Sequence, residues 1–205
     1  MTLGDVIRSF PCPDVVPIGL AFDGKCLGYG DSATIYQIDP YTGAVLRNFP
    51  APAASTMGLT FDGKYLWSAD TFLDRIYQVD PRTGAVLRSF TTPALDPRGL
   101  TFDGKYLWNI DVVENRIYQV DPETGAVLRS FATLDTSPFG LAFDSKYLWH
   151  SGDQFNNIYQ IDPQTGAITQ SFTTPALDPR GLTFDGKYLW HVDNITLLIY
   201  QISLA

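Results

Sequence analysis

The stretch Gly58-Leu-Thr-Phe-Asp-Gly-Lys-Tyr-Leu-Trp67 decides the fold, because it returns unchanged at Gly99–Trp108 and at Gly181–Trp190. Its opening, Gly-Leu-(Thr/Ala)-Phe-Asp, also stands at Gly19 and Gly140. Units therefore begin at Gly19, Gly58, Gly99, Gly140 and Gly181, spaced 39, 41, 41 and 41 residues apart. Residues 58–98 and 99–139 agree at 28 of 41 positions, and the 19 residues Phe90–Trp108 recur unchanged as Phe172–Trp190. Similarity of that order marks recent amplification or deliberate design. Self-similarity at a fixed period is the signature of a repeat architecture.

One unit reads as four short strands. Gly58–Asp62 and Lys64–Ala69 flank Asp62-Gly63, a hairpin-turn pair. Ile76–Val79 is the third strand. Asp80-Pro-Arg-Thr-Gly84 is a turn in which proline suits the bend and glycine takes a positive φ. Ala85–Phe90 is the fourth strand, and Thr91–Arg98, with Pro93 and Pro97, crosses to the next unit. No stretch sustains helical spacing, so the chain is all-β. A lone four-stranded sheet cannot bury both faces, whereas blades packed around an axis can, and about 41 residues is the size of a blade. The last unit, Gly181–Ala205, ends after its third strand, Ile199–Ile202. Its missing fourth strand is at the other end of the chain, where Gly4-Asp-Val-Ile-Arg-Ser-Phe10 matches Gly84-Ala-Val-Leu-Arg-Ser-Phe90. The sequence thus predicts a single five-bladed β-propeller over residues 1–205, closed by strand 4–10 completing the C-terminal blade.

The pattern Gly-Leu-Thr-Phe-Asp-Gly-Lys-Tyr-Leu-Trp, followed by Ile-Tyr-Gln-Val-Asp-Pro-x-Thr-Gly-Ala-Val, resembles the quinoprotein/YVTN/NHL-type propeller repeats along essentially the whole chain. That resemblance implies the fold and leaves function open, because such propellers host enzymes, binders and scaffolds alike. The Gly-Leu at each blade start is also similar to the plant-type glutaminyl cyclotransferases. In those enzymes a catalytic carboxylate lies near the position just after the tryptophan, and a glutamine precedes a Gly-Leu. Here the first position holds Tyr29, Ser68, Asn109, His150 and His191, and the second Ile18, Met57, Arg98, Phe139 and Arg180. The enzyme's residues therefore do not carry over, and Asp70 and Asp111 remain as candidate bases, provided they are desolvated.

The net charge of −8 argues against nucleic acid as a partner, which would call for a basic surface. No apolar run reaches the roughly 18 residues of a membrane helix. Met1–Phe10 lacks a basic segment followed by an apolar one, so no signal peptide is expected. A soluble monomer of unassigned compartment is the expectation.

Constant positions should be scaffold, and differences between units should mark an individual site. Differences concentrate just before each Gly-Leu (Ile18, Met57, Arg98, Phe139, Arg180) and in the stretch after the tryptophan position. In a propeller both sets emerge at one end of the central channel. The residues after the tryptophan position are Tyr29, Ser68, Asn109, His150 and His191; two further on stand Asp31, Asp70, Asp111, Gly152 and Asp193. With Arg98 and Arg180 they predict a mouth of mixed charge suited to a small polar or anionic molecule or a peptide end. The plainer reading is that variable loops are surface and their aspartates cap turns. His150 and His191 sit at equivalent positions and could hold a metal with Asp193, but no HxxH or CxxC pattern supports it, so no metal or cofactor is expected. No Gly-x-Ser-x-Gly elbow marks a hydrolase triad.

Trp67, Trp108, Trp149 and Trp190 read as packing between blades rather than as a sugar platform. Blade one departs from the rule, with Cys26 and Gly28 in place of the tyrosine and tryptophan. Either a neighbour such as Phe72 or Met57 leans into the freed volume, or a side pocket opens; the cost of voids favours filling. Cys12 and Cys26 belong to opposite faces, which argues against a disulfide. Arg8, Arg47, Arg88 and Arg129 read as solvated edge charges that discourage edge pairing.

The expected function is a non-catalytic ligand-binding or protein-interaction module with its site at the variable mouth. The alternatives are a cyclotransferase- or lyase-like enzyme there, a repeat scaffold with no ligand, and a multivalent lectin. A lectin would repeat its contact residues from blade to blade, and the mouth residues change.

Overall fold

The computed structural model describes residues 1–134, 136–152 and 154–204. Asp153, in the variable stretch of the fourth blade, lies outside the described residues, as do Asp135 and Ala205. Five four-stranded antiparallel sheets form the ring. Blade one is β2 (Gly19–Phe22), β3 (Leu27–Gly30), β4 (Thr34–Ile38) and β5 (Val45–Pro50). Blade two is β6 (Thr56–Phe61), β7 (Leu66–Asp70), β8 (Arg75–Val79) and β9 (Val86–Thr91). Blade three is β10 (Pro97–Phe102), β11 (Leu107–Asp111), β12 (Arg116–Val120) and β13 (Val127–Ala132). Blade four is β14 (Pro138–Phe143), β15 (Leu148–Gly152), β16 (Asn157–Ile161) and β17 (Ile168–Thr173). The last sheet joins β18 (Pro179–Phe184), β19 (Leu189–Asp193) and β20 (Leu198–Ile202) to β1 (Val6–Pro11). Ring closure thus follows the sequence, with Ser9 opposite Tyr200 and Phe10 opposite Ile199. Among the described residues no helix is long and apolar enough to cross a membrane.

The turns form for local reasons. Asp62 Oδ1 accepts from the backbone N–H of Lys64 and Tyr65 at 2.8 and 2.6 Å, and Gly63 takes φ +93°. Ser145 holds the corresponding left-handed position in blade four, at φ +80°. The inner strands start earlier than expected in four blades, for instance at Thr56, because the residues before the Gly-Leu also pair. The glycines Gly58, Gly99, Gly140 and Gly181 line the axis so closely that a Cβ on Gly99 would lie 2.5 Å from the Phe139 carbonyl oxygen. Only a residue without a side chain allows the inner strands to approach like this.

The four tryptophans are buried at the seams between blades, which favours the packing reading over the sugar platform. Each indole Nε1 donates at 2.7 Å to the turn aspartate of its own blade: Asp62, Asp103, Asp144 or Asp185. The edge arginines are not free solvated charges. Arg88 and Arg129 lie over Trp67 and Trp108, at 5.3 and 5.1 Å from the ring centroids. They also reach the next blade, Arg88 to Glu123 and Arg129 to Gln164. The long aliphatic stems cover the apolar seam while the heads keep hydrogen-bond partners. Cys12 and Cys26 are free thiols.

Candidate functional site

Register fixes which loops share an end. Thr56 pairs with Asp70, Asp70 with Arg75 and Arg75 with Thr91, so the start of an inner strand, the loop after the second strand and the crossing to the next blade emerge together. At the centre of that face Phe139 carries two cations. The guanidinium carbon of Arg180 lies 3.9 Å and that of Arg98 5.0 Å from its ring centroid. Each arginine also has a carboxylate. Arg98 Nε is 2.7 Å from Asp96 Oδ1, and Arg180 Nη2 is 2.8 Å from Asp178 Oδ1. Arg98 Nη1 reaches Met57 Sδ at 3.6 Å. Ile18 is buried. The arrangement is a charge-balanced aromatic cluster beside the glycine waist, with both guanidiniums over the ring at cation–π distances.

Exposed apolar side chains surround this cluster. The loops after the second strands carry Phe72, Leu73, Val113, Phe155 and Ile195, and the crossings carry Val15, Val16, Leu95, Leu134 and Leu177. Phe72 is 80% exposed. Composition hinted at none of this, because each such residue is unremarkable by itself.

Five residues expected at the mouth are not there. Tyr29, Ser68, Asn109, His150 and His191 are all fully buried. The strand pleat turns each away from the tryptophan side of its own sheet. Tyr29 packs in the seam with the last blade, and its hydroxyl donates to the Asp14 carbonyl at 3.1 Å. Ser68 Oγ meets Thr56 Oγ1 at 3.4 Å, and Asn109 Nδ2 donates to the Gly99 carbonyl at 3.1 Å. His150 stacks on Tyr159 at 5.1 Å and His191 on Tyr200 at 6.1 Å. Burial pushes both imidazoles down to about 4, so both are neutral at pH 7.

The aspartates are turn caps. Asp70 Oδ1 accepts from the N–H of Phe72 and Leu73, and its Oδ2 from Ser55 N–H at 2.7 Å. Asp193 Oδ1 accepts from Ile195 and Thr196, and its Oδ2 from Asp178 N–H at 2.7 Å. Asp111 differs. Its Oδ1 accepts from Glu114 N–H at 2.8 Å, its Oδ2 is buried without a partner, and burial raises its pKa. Among the described residues no three His, Cys, Asp or Glu side chains are grouped to hold a metal ion.

The opposite end of the channel is an open funnel of about 1130 Å³, its wide mouth included, floored by Phe22, Phe61, Phe102, Phe143 and Phe184 and the Asp-Gly turns. The vacancy at Gly28 is a side pocket rather than a filled one. Phe72 points to solvent, and Met57 lies at the axis.

The comparisons agree on fold. A glutaminyl cyclase from Myxococcus xanthus superimposes with TM-score 0.83 at 13% identity, over 98% of this chain and 97% of that one. The WD40 propeller domain of Doa1 gives TM-score 0.62 at 18% identity, over 91% of this chain and 63% of that one. A catalytically inactive virginiamycin B lyase from Staphylococcus aureus with quinupristin gives 0.58 at 21% identity, over 96% and 69%. The chain is a five-bladed propeller, the fold implied by its repeats. A family model described as peptidase propeptide and YPEB domain matches residues 91–131, which here run from the end of β9 through β13. That is about one blade, too little of the chain to assign a family. No curated protein sequence matches.

Proposed function

We propose that this propeller is a non-catalytic, monomeric interaction module that binds a protein or peptide on its variable face. The observation that carries the reading is the ring of exposed apolar side chains around the Arg98–Phe139–Arg180 cluster. Exposed apolar side chains grouped about a polar centre are what an interaction site offers, and aromatic and arginine side chains are enriched where binding energy concentrates. The fitting partner presents an acidic group between apolar side chains. Its carboxylate competes with Asp96 and Asp178 for the guanidiniums. WD40 domains and lyases share the fold, so the fold itself favours neither binding nor catalysis. Burial of His150 and His191 and the capping duties of Asp70 and Asp193 favour binding.

The test is selection from a random peptide library. Enriched peptides should carry an acidic residue flanked by apolar ones. They should lose at least about tenfold in affinity, roughly 1.4 kcal/mol, for Arg98→Ala/Arg180→Ala and for Phe72→Ser/Phe155→Ser. Peptides that bind the parent and both variants equally would sink the reading.

One observation favours a second reading. Asp111 has a buried carboxylate oxygen without a partner and a raised pKa, the features of a general base. With the glutaminyl cyclase likeness it supports cyclase-type chemistry at this face. Turnover of an N-terminal glutaminyl peptide, lost in Asp111→Asn, is the result that reading requires.

A further inference from the structure

Four of the five seams between blades hold a tryptophan; the seam between blades one and two holds none. In the filled seams the indole lies against an outer-strand phenylalanine at 5.9–6.1 Å, as Trp67 does against Phe90 and Trp190 against Phe10. At the fifth seam Phe49 stands in the outer strand and Gly28 stands where the indole would be attached. The result is a half-open pocket walled by Ala21, Gly28, Ile35 and Phe49 from blade one and Phe61 and Leu66 from blade two.

We propose that this pocket binds the indole ring of a small molecule, held as the chain holds its own tryptophans. Three features beyond the apolar walls carry the inference. The first is a placed acceptor. Asp23 is the counterpart of the four aspartates that accept indole N–H bonds, and its Oδ1 is likewise fixed by the turn, accepting from Lys25 and Cys26 N–H. Its Oδ2 accepts from Gln37 Nε2 at 2.7 Å. In blade three the same oxygen, on Asp103, serves Trp108 Nε1 at 2.7 Å and Gln119 Nε2 at 3.3 Å together. In the last blade Asp185 Oδ2 serves Trp190 at 2.7 Å and Gln201 at 3.4 Å. A carboxylate oxygen has two lone pairs, and blades three and five show the second donor accommodated.

The second feature is a lid. Arg88 and Arg129 cover the faces of Trp67 and Trp108. Arg47, their counterpart, borders the pocket, and its guanidinium carbon lies 6.0 Å from the Phe49 ring centroid. It is held by Gln37 Oε1 at 2.8 Å, by the Arg82 carbonyl at 3.0 Å and by the Pro81 carbonyl. These bonds hold the cation at the border of the pocket, where a bound ring could meet it. The third feature is space beneath. A Cβ on Gly28 would meet Ala21 Cβ at 3.5 Å, ordinary contact, so a side chain can start from this position without a clash. A void lined by apolar groups forfeits dispersion contacts, and a ligand of matching shape restores them.

The experiment is a titration of the full chain with free indole, followed by calorimetry and by amide and arginine side-chain NMR. The expected result is saturable one-to-one binding with shifts confined to Ala21, Asp23, Gly28, Arg47 and Phe49. N-Methylindole, which fills the pocket but cannot donate, should bind at least about fivefold more weakly. Gly28→Trp should supply the missing ring from the chain itself, abolish indole binding and raise Tm. Should that variant fold poorly, Gly28→Leu blocks the same volume and should also abolish binding. The proposal is overturned if indole moves no resonance, if binding survives in the folded blocking variant, or if N-methylindole binds as tightly as indole. A tryptophan-bearing peptide that binds where free indole does not would overturn the small-molecule assignment.

Discussion

Trp108 Nε1 donates to Asp103 Oδ2 at 2.7 Å, tying the indole of the second strand to the turn that precedes it. The same carboxylate's Oδ1 accepts from Lys105 and Tyr106 N–H, so one side chain both shapes the hairpin and fixes the ring at the seam. Trp108→Ala should cost about 3–5 kcal/mol, the range for truncating a buried aromatic. Trp108→Phe keeps a ring but leaves the half-buried carboxylate without its indole donor, and should cost about 1–3 kcal/mol. Urea unfolding of the two variants measures both. A loss under roughly 1 kcal/mol for the alanine would mean the ring is not part of the core.

Ring closure rests on β1. Its pairing with β20 is all that covers the outer edge of the last blade, and Phe10 packs on Trp190 at 5.9 Å. Deleting residues 1–10 exposes an unpaired edge and removes that ring. The truncated chain should self-associate or melt markedly lower, as light scattering and calorimetry would show. A stable monomer with unchanged Tm would contradict the closure.

The buried histidines make the fold acid-sensitive. Both have folded values near 4 against an ordinary 6.5, the first cause being burial. As pH falls below about 6.5 the unfolded chain takes up protons before the folded chain does. Stability is therefore full above about 6.5 and falls until pH reaches about 4, by at most roughly 3 kcal/mol per histidine. His150→Gln/His191→Gln should flatten this part of the profile, measured as unfolding midpoints at pH 8, 6 and 4.5. Equal slopes for parent and variant would mean that the imidazoles are not buried neutral.

Ser145 adopts φ +80° at a turn where the other four blades place glycine. The left-handed region costs a residue with a Cβ about 1–2 kcal/mol. At Gly24, Gly63, Gly104 and Gly186 nothing lies within 4 Å of where a Cβ would be, so no contact offsets that cost. Ser145→Gly should stabilise the chain by up to about 1 kcal/mol by chemical denaturation, once the extra freedom of glycine in the unfolded state is deducted.

Strand number, blade number and closure were legible in the sequence, because they follow from local signals repeated at a fixed period. Asp62-Gly63 and Asp80-Pro-Arg-Thr-Gly84 bend the chain wherever they occur, and the match of Gly4–Phe10 to Gly84–Phe90 identifies the displaced strand. The absence of tryptophan at Gly28 was equally plain. Its consequence was not, because whether a vacancy fills depends on side chains that reach it from the next blade. Phe72 and Met57 belong to that blade and do not reach it. Likewise, residue spacing placed Tyr29, Ser68, Asn109, His150 and His191 on one strand face, but the packing of the neighbouring blade against that face buries it in the seams instead of opening it to the mouth. The contact of Arg98 and Arg180 with Phe139 joins positions 41 residues apart on either side of it, in three different blades. A repeat fixes what each blade is, since that depends on neighbours along the chain. What two blades make between them depends on how the ring closes, and only the tertiary structure decides that.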